Sequence, residues 1–329
     1  MNYRQLGSTG LKVSEIGFGG WPAGGAMHVS GGVPLGWSDV TDQGTLEALR
    51  CARARGINFF DTADIYGHGR SESLIGLATH RHREEVVIAT KVGLARTAAD
   101  QIEKNFSKRH ILRAIDGSLH RLRTDYVDLY QLHNPSLTVL EQGEAQEALE
   151  MLQTSGKIRY WGITVMSVED GMEIIRRGWG YTLQLLFNIL NQRAADELLP
   201  MAKQNSYGVI ARVPLASGLL SGKYRSSTKF PPNDVRQNFL TPRRLSEALE
   251  RVDEVKSIVG RTSETLIEAA LRFVLAHEEI STTIPGVRSR SQVEQNAAAS
   301  GSPLPAEVVK KLRDRLGSYN FYERHAIGV

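Results

Sequence analysis

The sequence predicts an α/β fold, a (β/α)₈ TIM barrel with an N-terminal β-hairpin. Eight short apolar runs alternate with longer amphipathic stretches. The short runs are almost continuously apolar, as parallel strands covered by helices are. No Gly-x-Gly-x-x-Gly follows a strand and opens a helix, so the Gly-rich turn of an open doubly wound sheet is missing.

The elements follow in order. Tyr3 and Leu6, the turn Gly7-Ser8-Thr9-Gly10, then Leu11 and Val13 read as a hairpin placed to plug the barrel bottom. The strand-like runs are IGFGG (16–20), NFFDTA (58–63), VVIATKV (86–92) and YVDLYQLH (126–133). RYWGIT (159–164), TLQLLFN (182–188), GVIARVPL (208–215) and STTIPG (281–286) complete the set. Between them, Ile111, Ile115, Leu119 and Leu122 share one helical face. Ala145, Leu149 and Leu152 form a stripe ending at Gly156, and Leu245, Leu249, Val252, Val255 and Val259 one ending at Gly260, a C-terminal cap. Ser167 with Asp170, and Ser291 with Glu294, have the capping-box spacing. GFGGWPAGG reads as a loop. No boundary or repeat interrupts residues 1–329, so a single domain is expected. Two long Gly/Pro/Ser-rich segments, 20–40 and 221–243, have the length of lids or binding loops.

Composition excludes several classes. The net charge of +4 is spread through mixed stretches such as RHREE and ERVDEVK, which read as solvated helix faces and not as a nucleic-acid surface. No apolar run reaches the ~18 residues of a membrane span, and MNYRQLGSTGLKVS lacks the apolar core of a signal peptide. A single cysteine, Cys51, reads as a small buried helix residue and fits a reducing, cytoplasmic setting. The histidines have no metal-ligand spacing, so no metal is expected, and no Gly-x-Ser-x-Gly elbow is present.

In such a barrel, polar residues at the C-terminal ends of strands are where chemistry sits. The second run ends in FFDTADIYG, placing Asp61 at the strand end and Tyr66 in the next loop. The third ends with Lys91 and the fourth with His133. A lysine closing an apolar strand needs a partner, and Asp61 is the obvious one. An adjacent ammonium favours the phenolate and lowers a tyrosine pKa from about 10. Tyr66 then reads as a general acid, or a base in reverse, with a neutral His133 orienting a substrate oxygen.

These stretches resemble the aldo-keto reductase superfamily along nearly the whole chain. The motifs are YRQLGSTGLKVSEIGFGG, FFDTADIYGHGRSESLIG, VVIATKVG, YVDLYQLHNP, SGKIRYWGIT, VPLASGLLSGKY and IPGVRSRSQVEQN. RVPLASGLLSGKY is closer to the bacterial branch related to potassium-channel β-subunits. The resemblance implies NADP(H) bound extended, and a catalytic tetrad of Asp61, Tyr66, Lys91 and His133. It also places Gln184 near the nicotinamide amide, and Pro214, Leu215, Ser217 and Gly218 along the pyrophosphate. Gly286, Arg288 and Gln292 fall around the 2′-phosphate, and Gln295 with Asn296 near adenine. Gly20, Trp21, Asp61, Thr164 and Arg212 complete the implied cofactor contacts. Trp21 either walls the substrate pocket or packs; Trp37 and Trp179 read as packing.

Three positions depart from the family pattern. Thr164-Val165 stands where many relatives have Ser-Asn, and Val165 offers no amide. Arg212 replaces an aromatic that stacks on nicotinamide, and Gln295 replaces a glutamate near adenine. The implied activity is NADPH-dependent reduction of an aldehyde or ketone, a sugar or natural-product carbonyl among the candidates. The alternatives are an NAD(P)⁺-dependent alcohol or sugar dehydrogenase and a redox-sensing binding subunit. The expected partner is a small carbonyl substrate, and the sequence leaves homo-oligomerisation open.

Overall fold

The computed structural model describes residues 1–260, 262 and 265–322. Eight parallel strands form one sheet in sequential order: β1 (Phe18–Gly19), β2 (Phe59–Asp61), β3 (Val87–Val92), β4 (Val127–His133), β5 (Ile158–Thr164), β6 (Thr182–Leu186), β7 (Gly208–Arg212) and β8 (Ile280–Ile284). Parallel bridges Ile16–Thr283 and Gly19–Gly286 join the first edge to the last and close the barrel. All eight sequence-predicted strands are present; most are slightly shorter than their apolar runs, while β5 begins one residue earlier than its run.

Helices α1 (Asp42–Ala54), α2 (Arg70–Thr79), α3 (Lys108–Leu122), α4 (Glu144–Thr154), α5 (Val168–Arg176), α6 (Leu198–Gln204), α7 (Leu266–Leu275) and α8 (Arg290–Ala297) pack outside. The predicted stripes on α3 and α4 are their buried faces. Two further helices, Pro242–Val259 and Ala306–Leu316, pack on each other. The first ends at Gly260, at φ 55°. Ser167 caps α5, accepting from the Asp170 amide. The Ser291–Glu294 box is not what caps α8. Ser289 takes that role through the Gln292 amide, and Ser291 lies inside the helix, because the turn out of β8 ends two residues earlier than the spacing suggests. Cys51 sits on α1, half-buried and packed against the core.

The hairpin pairs Tyr3–Gln5 with Lys12–Ser14. Leu6 and Val13 are fully buried against Phe59, Val87, Ala89, Leu129 and Ile210. Those are inward positions of β2, β3, β4 and β7, so the hairpin does seal one barrel end. Side chains two apart on a strand share a face. Moving along the same inward rows therefore gives Phe59 then Asp61, Ala89 then Lys91, Leu129 then Gln131 and His133, and Ile210 then Arg212. The barrel interior is thus apolar at the plugged end and polar at the other.

Candidate active site

The polar layer is organised around one ion pair. Lys91 is fully buried, and its Nζ donates to Asp61 Oδ2 at 2.6 Å and to the Thr62 carbonyl at 2.8 Å. The second oxygen of Asp61 accepts from Gln184 Nε2 at 2.8 Å and from Gln131 Nε2 at 3.3 Å. A buried carboxylate is tolerable only when both oxygens are satisfied, and here both are. Gln131 was missed in the sequence. The signal was its place two residues before His133, on the same inward row.

The Tyr66 hydroxyl lies 3.5 Å from Lys91 Nζ, and the ammonium stands 5.0 Å from the ring centroid. His133 meets the Tyr66 ring edge-on at 5.9 Å, and Trp21 flanks it at 6.4 Å. Asp61, Lys91, His133 and Tyr66 are therefore brought together at the barrel mouth.

The electrostatics correct one expectation. Burial would lower the Lys91 pKa, but Asp61 and then Tyr66 outweigh it and the ammonium is held above its ordinary value. The Tyr66 phenol is pushed up, not down. Its burial is the largest effect and exceeds the pull of Lys91. The charge of Lys91 is already spent on Asp61, so only part of it reaches the phenol. His133 is held well below its usual value by burial, then by Lys91, Arg212 and Lys104. It is neutral at physiological pH, as expected from the sequence. Its Nδ1 is buried without a partner among the described residues.

A cleft runs from this cluster across the mouth to α8. It is lined by Trp21, Asp61, Tyr66, His133, Thr164, Gln184, Arg212, Pro214, Leu215, Ser217, Gly218, Gly286, Arg288, Gln292, Gln295 and Asn296. Among the residues implied by resemblance, only Lys91 and Gly20 are off its surface. Lys91 lies beneath it. Gly20 packs inward, where a Cβ would stand 2.6 Å from the Asp61 carbonyl, and its neighbour Gly19 lines the cleft instead. The Thr164 hydroxyl donates to Asn134 Oδ1 at 2.6 Å, so Asn134, which the sequence reading passed over, is fixed beside the departure at Val165.

After β7 the chain makes an unusual turn. Val213, Ala216 and Ser217 have φ between 47° and 56°, and Gly218 follows at 92°. Left-handed backbone at a β-branched residue is strained, and such strain collects at functional loops. Here it opens the loop towards the cleft. Further along, the Arg288 amide donates to Gln292 Oε1 at 2.7 Å at the start of α8. Burial and then Arg236 lower the Arg288 pKa. Its guanidinium faces the cleft with only a 3.4 Å bond to the Ser38 carbonyl and the Trp37 ring at 5.8 Å. Gln295 Oε1 and Asn296 Nδ2 are buried and have no partner among the described residues. These features suit a long, polyanionic ligand with a polar heterocycle at one end.

The two long loops meet over the cleft. Arg236 grips Asp234 through Nε at 2.7 Å and Nη2 at 2.6 Å, and Asp234 accepts from Ser38 at 3.0 Å. Arg236 also stacks on Trp37, 4.6 Å from its centroid. Trp37 therefore lines the cleft, contrary to the reading of it as mere packing. Its edge meets Trp21 at 5.6 Å. Trp179 does pack, beneath Arg177.

The profile of the aldo/keto reductase family matches residues 15–316. A probable voltage-gated potassium channel subunit beta from Arabidopsis thaliana is 30% identical over 91% of this chain and 91% of its own. An aldo-keto reductase from Bacillus halodurans, solved in its holo form, is 30% identical with a TM-score of 0.81, covering 99% of both chains. An aldo/keto reductase from Klebsiella pneumoniae, solved in complex with NADP and acetate, is 26% identical with a TM-score of 0.71, covering 96% of both. A closed eight-stranded barrel, a buried carboxylate–ammonium pair under a tyrosine at its mouth, and a match across nearly the full length lead to one conclusion: the chain belongs to the aldo/keto reductase family of oxidoreductases.

Proposed function

We propose that this chain reduces an aldehyde or ketone with NADPH, and that Tyr66 delivers the proton. The observation that carries this is the convergence of Asp61, Lys91, Tyr66 and His133 at one end of a cleft long enough to continue to Arg288. We take residues 1–329 as a single domain carrying that site, working in the cytoplasm. Among the described residues no helix is long and apolar enough to cross a membrane.

The cofactor assignment rests on fit. The guanidinium of Arg288, whose side chain makes only a long bond to the Ser38 carbonyl among the described residues, suits the adenosine 2′-phosphate, and the atoms of Gln295 and Asn296 left unpartnered among the described residues suit the adenine. Arg presents a planar fork suited to phosphate. Gln184, Pro214, Leu215, Ser217 and Gly218 line the path between. The Klebsiella relative, solved with NADP, supports the same choice. When bound, the cofactor supplies the hydride.

The residues do the rest. His133, neutral, offers an N–H to the carbonyl oxygen and fixes its position above Tyr66. Tyr66 keeps its proton at neutral pH because burial holds its pKa up, and releases it as charge builds on the substrate oxygen. Lys91, anchored by Asp61, stabilises the phenolate left behind. Trp21 and Trp37 shield the reaction from water.

The test is loss of reduced-nicotinamide absorbance with a panel of small aldehydes. Turnover with NADPH supports the reading. Tight cofactor binding without turnover of any carbonyl would make the chain a binding module instead. Arg288→Ala is expected to weaken NADPH by ~10-fold or more, from loss of a charge-assisted bond, and to leave NADH little changed. Equal weakening of both would remove the 2′-phosphate role.

A further inference from the structure

The turn after β7 is the most strained backbone along the cleft, and its strain has to be held from outside. Val213, Ala216 and Ser217, none of them glycine, all have left-handed φ. Such a conformation persists only where surrounding groups over-determine it. Two side chains do so here. At the start of the turn, the fully buried Asn188 donates from Nδ2 to the Val213 carbonyl at 2.9 Å. At its far end, the Tyr224 hydroxyl donates to the Ser217 carbonyl at 3.1 Å.

The second of these ties reaches beyond the turn. Tyr224 lines the cleft. Its oxygen also accepts from Arg236 Nη1 at 2.6 Å, while Asp234 grips the other side of that guanidinium. Accepting from a cation polarises the phenol and makes it a better donor. Its ring packs edge-on against Phe230, 5.3 Å between centroids. Gly218 makes the approach possible, since a Cβ at that position would collide with the Tyr224 hydroxyl. The phenol is thus fixed by a charged neighbour and a ring, and it in turn fixes a peptide of the turn.

We propose that Tyr224 is a positioning residue for the cofactor, whose hydroxyl holds the 213–218 turn in the shape that receives the pyrophosphate. This rests on the cofactor reading above and adds the group that keeps the phosphate loop formed before the ligand arrives. A site already shaped for its ligand loses less freedom on binding, so affinity is where the hydroxyl acts. A phenylalanine keeps the ring and removes only the tie to Ser217 and the acceptor for Arg236.

The experiment titrates the fluorescence of NADPH and of NADH with wild-type protein and with Tyr224→Phe, and records the melting temperature of each unliganded protein. NADPH and NADH share the pyrophosphate and differ in the 2′-phosphate. Tyr224→Phe is expected to raise both Kd values by the same factor, ~10-fold, from loss of a hydrogen bond and of the shape it maintains. The unliganded melting temperature is expected to stay within ~3 °C of wild type, since one part-exposed hydroxyl is removed. With an aldehyde that the protein turns over, the loss is expected in KM for the cofactor and not in kcat. Unchanged affinity for both cofactors overturns the proposal. Weakening of NADPH alone also overturns it, because Tyr224 would then act through Arg236 on the Arg288 end. Weakening of both together with a large fall in melting temperature overturns it too, as general loosening of the fold. A wild type that binds neither cofactor defeats the cofactor reading and this assignment together, whereas the other three results strike this assignment alone.

Discussion

Tyr66→Phe is expected to cut kcat for aldehyde reduction by about 10²–10⁴-fold, the range for removing a positioned general acid. The ring keeps its contacts with Trp21 and His133, so cofactor affinity should change little, as measured by titration of NADPH fluorescence. The pH profile gives a second reading of the same group. A proton donor acts while protonated, below its pKa. Burial places that of Tyr66 above the ordinary 10.0, so reductive kcat should stay flat through neutrality and fall only in the alkaline range beyond that value. A fall between pH 7 and 9 would mean that a different group donates. His133, already neutral, contributes no inflection near neutrality.

Lys91→Met is expected to damage both activity and stability. It leaves the Asp61 carboxylate buried with two amide donors, Gln184 and Gln131, but no counter-charge. Breaking a buried pair from one side typically costs about 3–5 kcal/mol. The phenolate of Tyr66 also loses its stabilising ammonium, so kcat should fall by a further factor of ~10² or more. The double variant Asp61→Asn/Lys91→Met separates the two effects. Removing both charges should recover much of the lost stability in a denaturant melt, while activity stays lost. If the double variant is as unstable as the single one, the pair is holding the barrel mouth in a way its charges do not explain.

Much of this site was legible in the sequence because strand ends are local features. Asp61, Lys91 and His133 each close an apolar run, and strand order alone brings those ends together in a barrel. Gln131 was equally available through the two-residue period of β4. Other features were not, because they depend on chain segments far apart. Trp37 becomes a cleft wall only through Arg236, from the other long loop. The Asp234–Arg236 fork that draws the loops together has no local pattern. The direction of the Tyr66 shift required knowing how deeply the phenol is buried, which motif spacing does not tell.

The most direct measurement uses NADPH carrying deuterium at the transferable nicotinamide C4 position, with an aldehyde that the protein turns over. If the pyridine ring lies beside Tyr66, one deuterium per turnover appears on the carbinol carbon of the alcohol, and the hydroxyl proton comes from solvent. Alcohol formed without deuterium on that carbon, or oxidation of the labelled cofactor with no alcohol formed, would contradict direct hydride transfer at this site.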